Sequence, residues 1–140
     1  MTAGPSTARP KGVLRRALAI ITALLAVSAI LVIVLLDAAL DDPRRFDRLE
    51  QPASVTYPDE SKHYVGLVQR RSLIFGRVTG HDLYAGRFPD MSYGHFVRLD
   101  ITGEERPDIK DASWDRNGVR VRFTTGHELF VPVRYFMYGR

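Results

Sequence analysis

The stretch DASWDRNGVRVRFTTGHELFVPV, residues 111–133, alternates apolar and polar side chains around two turn sequences. A period of two is the pattern of strands with one face in a core and the other in water. Asn117-Gly118 is a strong hairpin signal, because a type I′ turn needs φ > 0 at both central residues. Closing the chain there sets Asp115 opposite Arg120, Trp114 opposite Val121, Ser113 opposite Arg122 and Ala112 opposite Phe123. Trp114, Ala112, Val119, Val121 and Phe123 then share one face, and charges collect on the other. At the next turn only an odd-length loop keeps that face apolar. A three-residue loop, Thr125-Gly126-His127, sets Phe123 opposite Leu129, Val121 opposite Val131 and Val119 opposite Val133; five residues would keep the same register. Pro132 has no N–H to give a ladder, so the last strand is expected at an edge or bulged there.

Upstream, short runs rich in Val, Ile, Phe and Tyr recur at intervals of roughly 8–12 residues between Gly, Asp and Asn. Strands are expected near His63–Val68, Leu73–Thr79, Asp82–Arg87, His95–Ile101, Ile109–Trp114, Val119–Thr124 and Glu128–Val133. The expected class is mainly β: one N-terminal transmembrane α-helix, then a small antiparallel meander, sandwich or barrel over residues 62–140. Thr79-Gly80-His81-Asp82-Leu83-Tyr84 is echoed by Thr125-Gly126-His127-Glu128-Leu129-Phe130. The echo reads as two hairpins with similar turn chemistry rather than a duplicated binding unit.

Residues 17–36, ALAIITALLAVSAILVIVLL, contain only Thr22 and Ser28 as polar members. At 1.5 Å per residue they span roughly 30 Å, the thickness of a bilayer's hydrocarbon core. A membrane helix is therefore expected over residues 17–40, behind a basic tail of residues 1–16. The run exceeds a signal peptide's apolar region, and Leu36-Asp37-Ala38-Ala39 is a poor cleavage site. Arg9, Lys11, Arg15 and Arg16 precede the helix without an acid, whereas Asp37, Asp41 and Asp42 come before Arg44 on the far side. The positive-inside rule then puts the N-terminus in the cytoplasm and the C-terminal domain outside the cell membrane. Ala19, Thr22, Ala23, Ala26 and Ala29 form a small-residue stripe that could pair two helices in a homodimer. Residues 41–61, with Pro43, Pro52 and Pro58, read as a polar linker with some helix.

Of the 20 Lys and Arg residues, four lie in the tail, and beyond the apolar run that ends at Leu36 the remaining 16 balance the 16 acids. The basic character therefore reports topology, and no nucleic-acid partner is expected. The 17 arginines against 3 lysines fit a GC-rich genome and a bacterial source. With no cysteine, disulfides and thiolate metal sites are excluded.

His63, His81, His95 and His127 lack the short fixed spacing of a zinc site, so no metal and no cofactor are expected. No serine lies in a nucleophile-elbow context, and His81-Asp82 and His127-Glu128 would point to opposite faces of a strand. The glycines at 76, 80 and 86 precede no helix that could cradle a phosphate. No catalytic residue is assigned. Aromatic residues mix with arginines at Tyr84, Arg87, Phe88 and Tyr93, and again at Arg134, Tyr135, Phe136, Tyr138 and Arg140. Such mixtures carry protein hot spots. Gly86–Gly94 reads as an exposed loop, and Arg87, Phe88, Met91 and Tyr93 are the candidate contact residues. The expectation is a non-catalytic accessory or interaction domain at the cell envelope, touching the lipid bilayer and an unidentified membrane or envelope protein. The alternatives are a module that senses an envelope polymer or small ligand and, third, a hydrolase.

Overall fold

The computed structural model describes residues 11–100 and 106–138; Arg9 of the tail, Ile101 of the fourth expected strand and Arg140 lie outside them. The chain divides into two compact units, residues 1–39 and 40–140. The first is helix α1, Lys11–Ala39. It begins before residue 17 because Leu14, Arg15 and Arg16 are good helix formers and residues 11–16 contain no proline. Gly12–Ala39 is long and apolar enough to cross a membrane, the one such helix among the described residues.

The second unit carries strands β1 (Arg44–Glu50), β2 (Tyr64–Arg71), β3 (Val78–Gly86), β4 (His95–Leu99), β5 (Ile109–Asp115), β6 (Gly118–Phe123) and β7 (Glu128–Pro132), then a single turn of helix α2 (Val133–Phe136). They form two antiparallel meanders, β1-β2-β3-β4 and β5-β6-β7, and neither closes into a barrel. Val65, Leu67, Leu83 and Ala85 of the first sheet share one core with Val119, Val121, Phe123 and Val131 of the second. Phe46, Leu49, Ile109, Ala112 and Trp114 border that core, half-buried.

The C-terminal meander has the expected faces but not the expected pairs. Ala112 lies opposite Val121, Trp114 opposite Val119 and Asp115 opposite Gly118, one pleat repeat from the alignment that Asn117-Gly118 suggested. The turn residues are Arg116 and Asn117, and neither has positive φ. The Asp115 carboxylate selects this turn: its Oδ1 accepts the N–H groups of Asn117 (2.7 Å) and Gly118 (3.0 Å). Gly118 thereby joins the ladder opposite Pro132. The next loop is odd-numbered, as the apolar face requires, but comprises Thr124-Thr125-Gly126, closed by the Phe123 N–H on the His127 carbonyl (2.9 Å). Val121 accordingly faces Leu129, and Val119 faces Val131. Both shifts are by two residues, which keeps every side chain on its own face. Charges meet on the outer face as Arg122–Asp111 (2.8 Å) and Arg120–Glu128 (3.4 Å). β7 is an edge strand with Pro132 at its end.

Three expectations upstream are corrected. Residues 41–61 are not a spacer with some helix, for they contain β1, paired with β2. Five of its seven residues are charged, which suits an edge strand. A bulge between Phe46 and Leu49, with Asp47 at φ 50°, lets two apolar residues three apart reach the same core and erases the period of two. Leu73–Thr79 is not a strand: Leu73-Ile74-Phe75 forms the turn between β2 and β3. Thr79-Gly80-His81 lies inside β3, so the echo of Thr125-Gly126-His127 is not one of turn chemistry.

Candidate contact surface

Loop 87–94 joins β3 to β4 and folds over the sheet face opposite the main core. Its anchor is Met91, which is 4% exposed and packs with Val68 and Tyr84, beside Tyr64. This corrects its assignment as a contact residue: Met91 is buried under the loop. Gly66 in β2 makes room for it. A Cβ there would overlap the Met91 sulfur and lie 3.2 Å from the Phe46 carbonyl oxygen. Met91 itself sits at φ 53°, so the loop turns sharply to insert it.

A second buried group sets the loop's shape. The Tyr84 side chain is fully buried; its hydroxyl donates to the Tyr93 carbonyl (3.0 Å) and accepts the Phe88 N–H (3.0 Å). One oxygen thus ties both shoulders of the loop, and burial pushes the Tyr84 pKa up. Arg87, Phe88 and Tyr93 remain exposed, with the Phe88 and Tyr93 rings edge-to-face at 6.1 Å. Arg48 of β1 donates to the Pro89 carbonyl (3.0 Å), bracing the tip.

Beyond the loop, Gly94 and His95 meet α2. His95 stacks on Tyr135 with centroids 5.0 Å apart and ring planes 14° apart. The Arg134 guanidinium lies 4.9 Å from the Tyr135 centroid and donates to its hydroxyl (3.2 Å). Gly94, His95, Arg134, Tyr135 and Tyr138 line an open hollow of about 400 Å³. The sequence shows the aromatic and arginine content of both segments. That they join at Gly94-His95 follows from α2 packing beside β4, a contact without a local sequence signal. Phe136, in contrast, is core.

Of the four histidines, His63 is the buried one. Gln51 Oε1 accepts from its backbone N–H (3.1 Å) and lies 2.9 Å from Nδ1, while Gln51 Nε2 donates to the Val55 carbonyl (2.6 Å). Asp59 Oδ2 stands 3.1 Å from Nε2 but out of hydrogen-bond alignment. Burial pushes the His63 pKa down, against the pull of Asp59. Tyr57 and Phe136 pack edge-on around the imidazole, at 5.2 Å each. The Tyr57 hydroxyl donates to the Asp115 carbonyl (2.9 Å), with the Gly118 carbonyl at 3.3 Å, and burial raises its pKa to about 12. With the His63 side chain fully buried, this His–Asp–Tyr group joins the segment before β2 to the β5–β6 turn.

His81 Nε2 lies 3.1 Å from Gln69 Nε2, and its pKa is lowered by burial and by Arg106. Its neighbour Asp82 pairs with Arg70 (3.0 Å). His127 Nδ1 meets the Thr125 hydroxyl (3.0 Å), while Glu128 pairs with Arg120. Each acid thus has an arginine partner of its own. Among the described residues no three His, Asp or Glu side chains gather in a way that could hold a metal ion.

No protein-family model, no curated protein and no solved structure matches this chain.

Proposed function

We propose that this is a single-pass, membrane-anchored accessory protein of the bacterial cell envelope, with a cytoplasmic N-terminus and a non-catalytic β unit outside the cell that binds a protein partner. The observation that carries this reading is the pre-shaped aromatic–arginine surface: Arg87, Phe88 and Tyr93 on a loop held by the Tyr84 hydroxyl and the buried Met91. Exposed rings fixed in place lose little entropy on binding, and Arg and Tyr are the residue types that dominate hot spots. His95, Arg134, Tyr135 and Tyr138 extend the surface. With 16 Lys and Arg against 15 Asp and Glu, residues 40–140 carry a net charge of only +1 and have no strong long-range field to gather a polyanion, so recognition is local.

Changing Arg87, Phe88 and Tyr93 together to Ala should abolish crosslinking to the partner in native membranes while leaving the melting temperature in place. Normal crosslinking by the triple variant refutes the surface. A reporter active only outside the cytoplasm should work when fused after Arg140; a working cytoplasm-only reporter reverses the orientation. A second reading, binding of an envelope polymer or small ligand, draws support from the hollow at His95, Tyr135 and Tyr138, whose rings could stack on a sugar. Soluble cell-wall fragments that shift the melting temperature, with the shift lost in Tyr135→Ala, would favour it over a protein partner.

A further inference from the structure

Four apolar side chains crowd the β2–β3 turn in water: Leu73 is 53% exposed, Ile74 47%, Phe75 57% and Val78 52%. Consecutive exposed residues of this kind are out of place on a soluble surface unless something covers them. The turn is also closed by hydrogen bonds of its own. Ser72 N–H donates to the Arg77 carbonyl (2.8 Å), Arg77 N–H to the Ser72 hydroxyl (3.0 Å) and Gly76 N–H to the Ser72 carbonyl (3.0 Å). Arg71 Nε donates to the Gly76 carbonyl (3.0 Å).

Its place along the chain says what covers it. Leu73 N–H donates to the Leu40 carbonyl (3.0 Å), Asp41 forms a β-bridge with Ser72, and Asp42 N–H donates to the Arg71 carbonyl (2.7 Å). Leu40 directly follows Ala39, the last residue of α1. Covalent continuity alone therefore keeps the turn within one hydrogen bond of the point where the apolar helix ends. Leu40, itself 43% exposed, extends the apolar patch toward that point. A membrane-crossing helix ends at the boundary of headgroups and acyl chains, where interfacial amphipathic segments bury their apolar faces by about 5–10 Å.

We propose that Leu73-Ile74-Phe75, with Val78 and Leu40, is a membrane-docking tip that inserts into the interface of the bilayer crossed by α1. The inference rests on the reading of α1 as a membrane anchor. Docking of this tip gives the β unit a second attachment beside the anchor and limits its tumbling at the membrane surface.

Because the chain has no cysteine, single thiols can be placed at will in the full-length protein. Ile74→Cys, Thr125→Cys at an exposed turn of the other sheet, and Val27→Cys in α1 would each carry a polarity-sensitive fluorophore. Each is reconstituted in phosphatidylcholine–phosphatidylglycerol vesicles containing lipids spin-labelled at shallow or deep positions. The Ile74 label should be blue-shifted and quenched severalfold more by shallow spin-labelled lipid than the Thr125 label, while the Val27 label is quenched by the deep one. A quenched Val27 label beside an Ile74 label that behaves like Thr125 refutes the docking tip and leaves the anchor standing. An unquenched Val27 label refutes the anchor and the tip with it. An Ile74 label shielded from aqueous iodide yet untouched by spin-labelled lipid means that protein, such as a second copy, covers the tip, and overturns the lipid assignment.

Discussion

Replacing Gly118 with Ala separates the observed β5–β6 turn from the one that Asn117-Gly118 suggested. In an ordinary turn, Gly→Ala trades about 0.4–1 kcal/mol of unfolded-state entropy against the strain of positive φ. In this structure Gly118 is the first residue of β6, and a Cβ would fall inside the Val131 carbonyl oxygen and 3.0 Å from Pro132 Cα. Both are backbone atoms, so no rotamer change relieves the overlap and β7 must move. Three attachments move with it: Gly118 N–H on the Asp115 carboxylate, the Tyr57 hydroxyl near the Gly118 carbonyl, and Val133 N–H on the Asn117 carbonyl (2.8 Å). Overpacking of this kind costs about 1–3 kcal/mol, and the loss here should lie at the upper end, about 2–3 kcal/mol. For a unit of this size that lowers the melting temperature by about 10–20 °C. Gly126 supplies the control. Its φ is 88°, but nothing lies within 4 Å of an added Cβ, so Gly126→Ala carries backbone strain alone, about 1 kcal/mol. Thermal unfolding of the full chain in detergent can be followed by the fluorescence of Trp114, its single tryptophan, whose ring lies 6.1 Å from Phe136. If Gly118→Ala melts no lower than Gly126→Ala, the Val131 carbonyl does not stand over Gly118 and the register is wrong.

Trp114→Ala, which strips a half-buried ring from the main core, should cost about 3 kcal/mol, and Arg120→Ala on the outer face under about 1 kcal/mol; equal losses in urea titrations would mean the faces are misassigned. The lowered His63 pKa means that the unfolded chain takes up the proton more readily, so its stabilising contribution is full above about pH 6.5 and declines as pH falls through the folded pKa. His63→Leu should flatten that acid limb, and an unchanged limb would move the sensitivity to His81. Tyr57 works in the opposite direction: with its pKa raised to about 12, it keeps its proton in the fold, and its contribution is lost as pH climbs from about 10 to 12, a loss that Tyr57→Phe should remove. Gly66→Ala should loosen loop 87–94 by displacing Met91, seen as faster amide exchange at residues 88–93; unchanged exchange would show that Met91 does not anchor the loop.

An apolar run of membrane-spanning length and alternating short segments were enough to expect one long helix followed by a small antiparallel β unit, because periodicity reports which side chains leave water. The same pattern sorted Trp114, Val119, Val121 and Phe123 onto one face. It could not set the pairing of β5 with β6, or of β6 with β7: a period of two is unchanged by a two-residue slip, and the decision fell to the Asp115 carboxylate and the packing of β7 over Gly118. β1 was hidden because its bulge spaces Phe46 and Leu49 three apart among charges. Leu73-Ile74-Phe75 resembled a strand by composition, yet the bonds around Ser72 and Gly76 turn it outward. Aromatic and arginine content singled out loop 87–94 as the proposed contact surface, and Arg87, Phe88 and Tyr93 are exposed there. Met91 went the other way, since only tertiary packing shows that Gly66 leaves a socket for its thioether. Side-chain chemistry and spacing are local properties that a linear sequence carries. The depth of a pocket, the absolute register of a ladder and the meeting of β4 with α2 are set by contacts between distant segments, and these the fold alone decides.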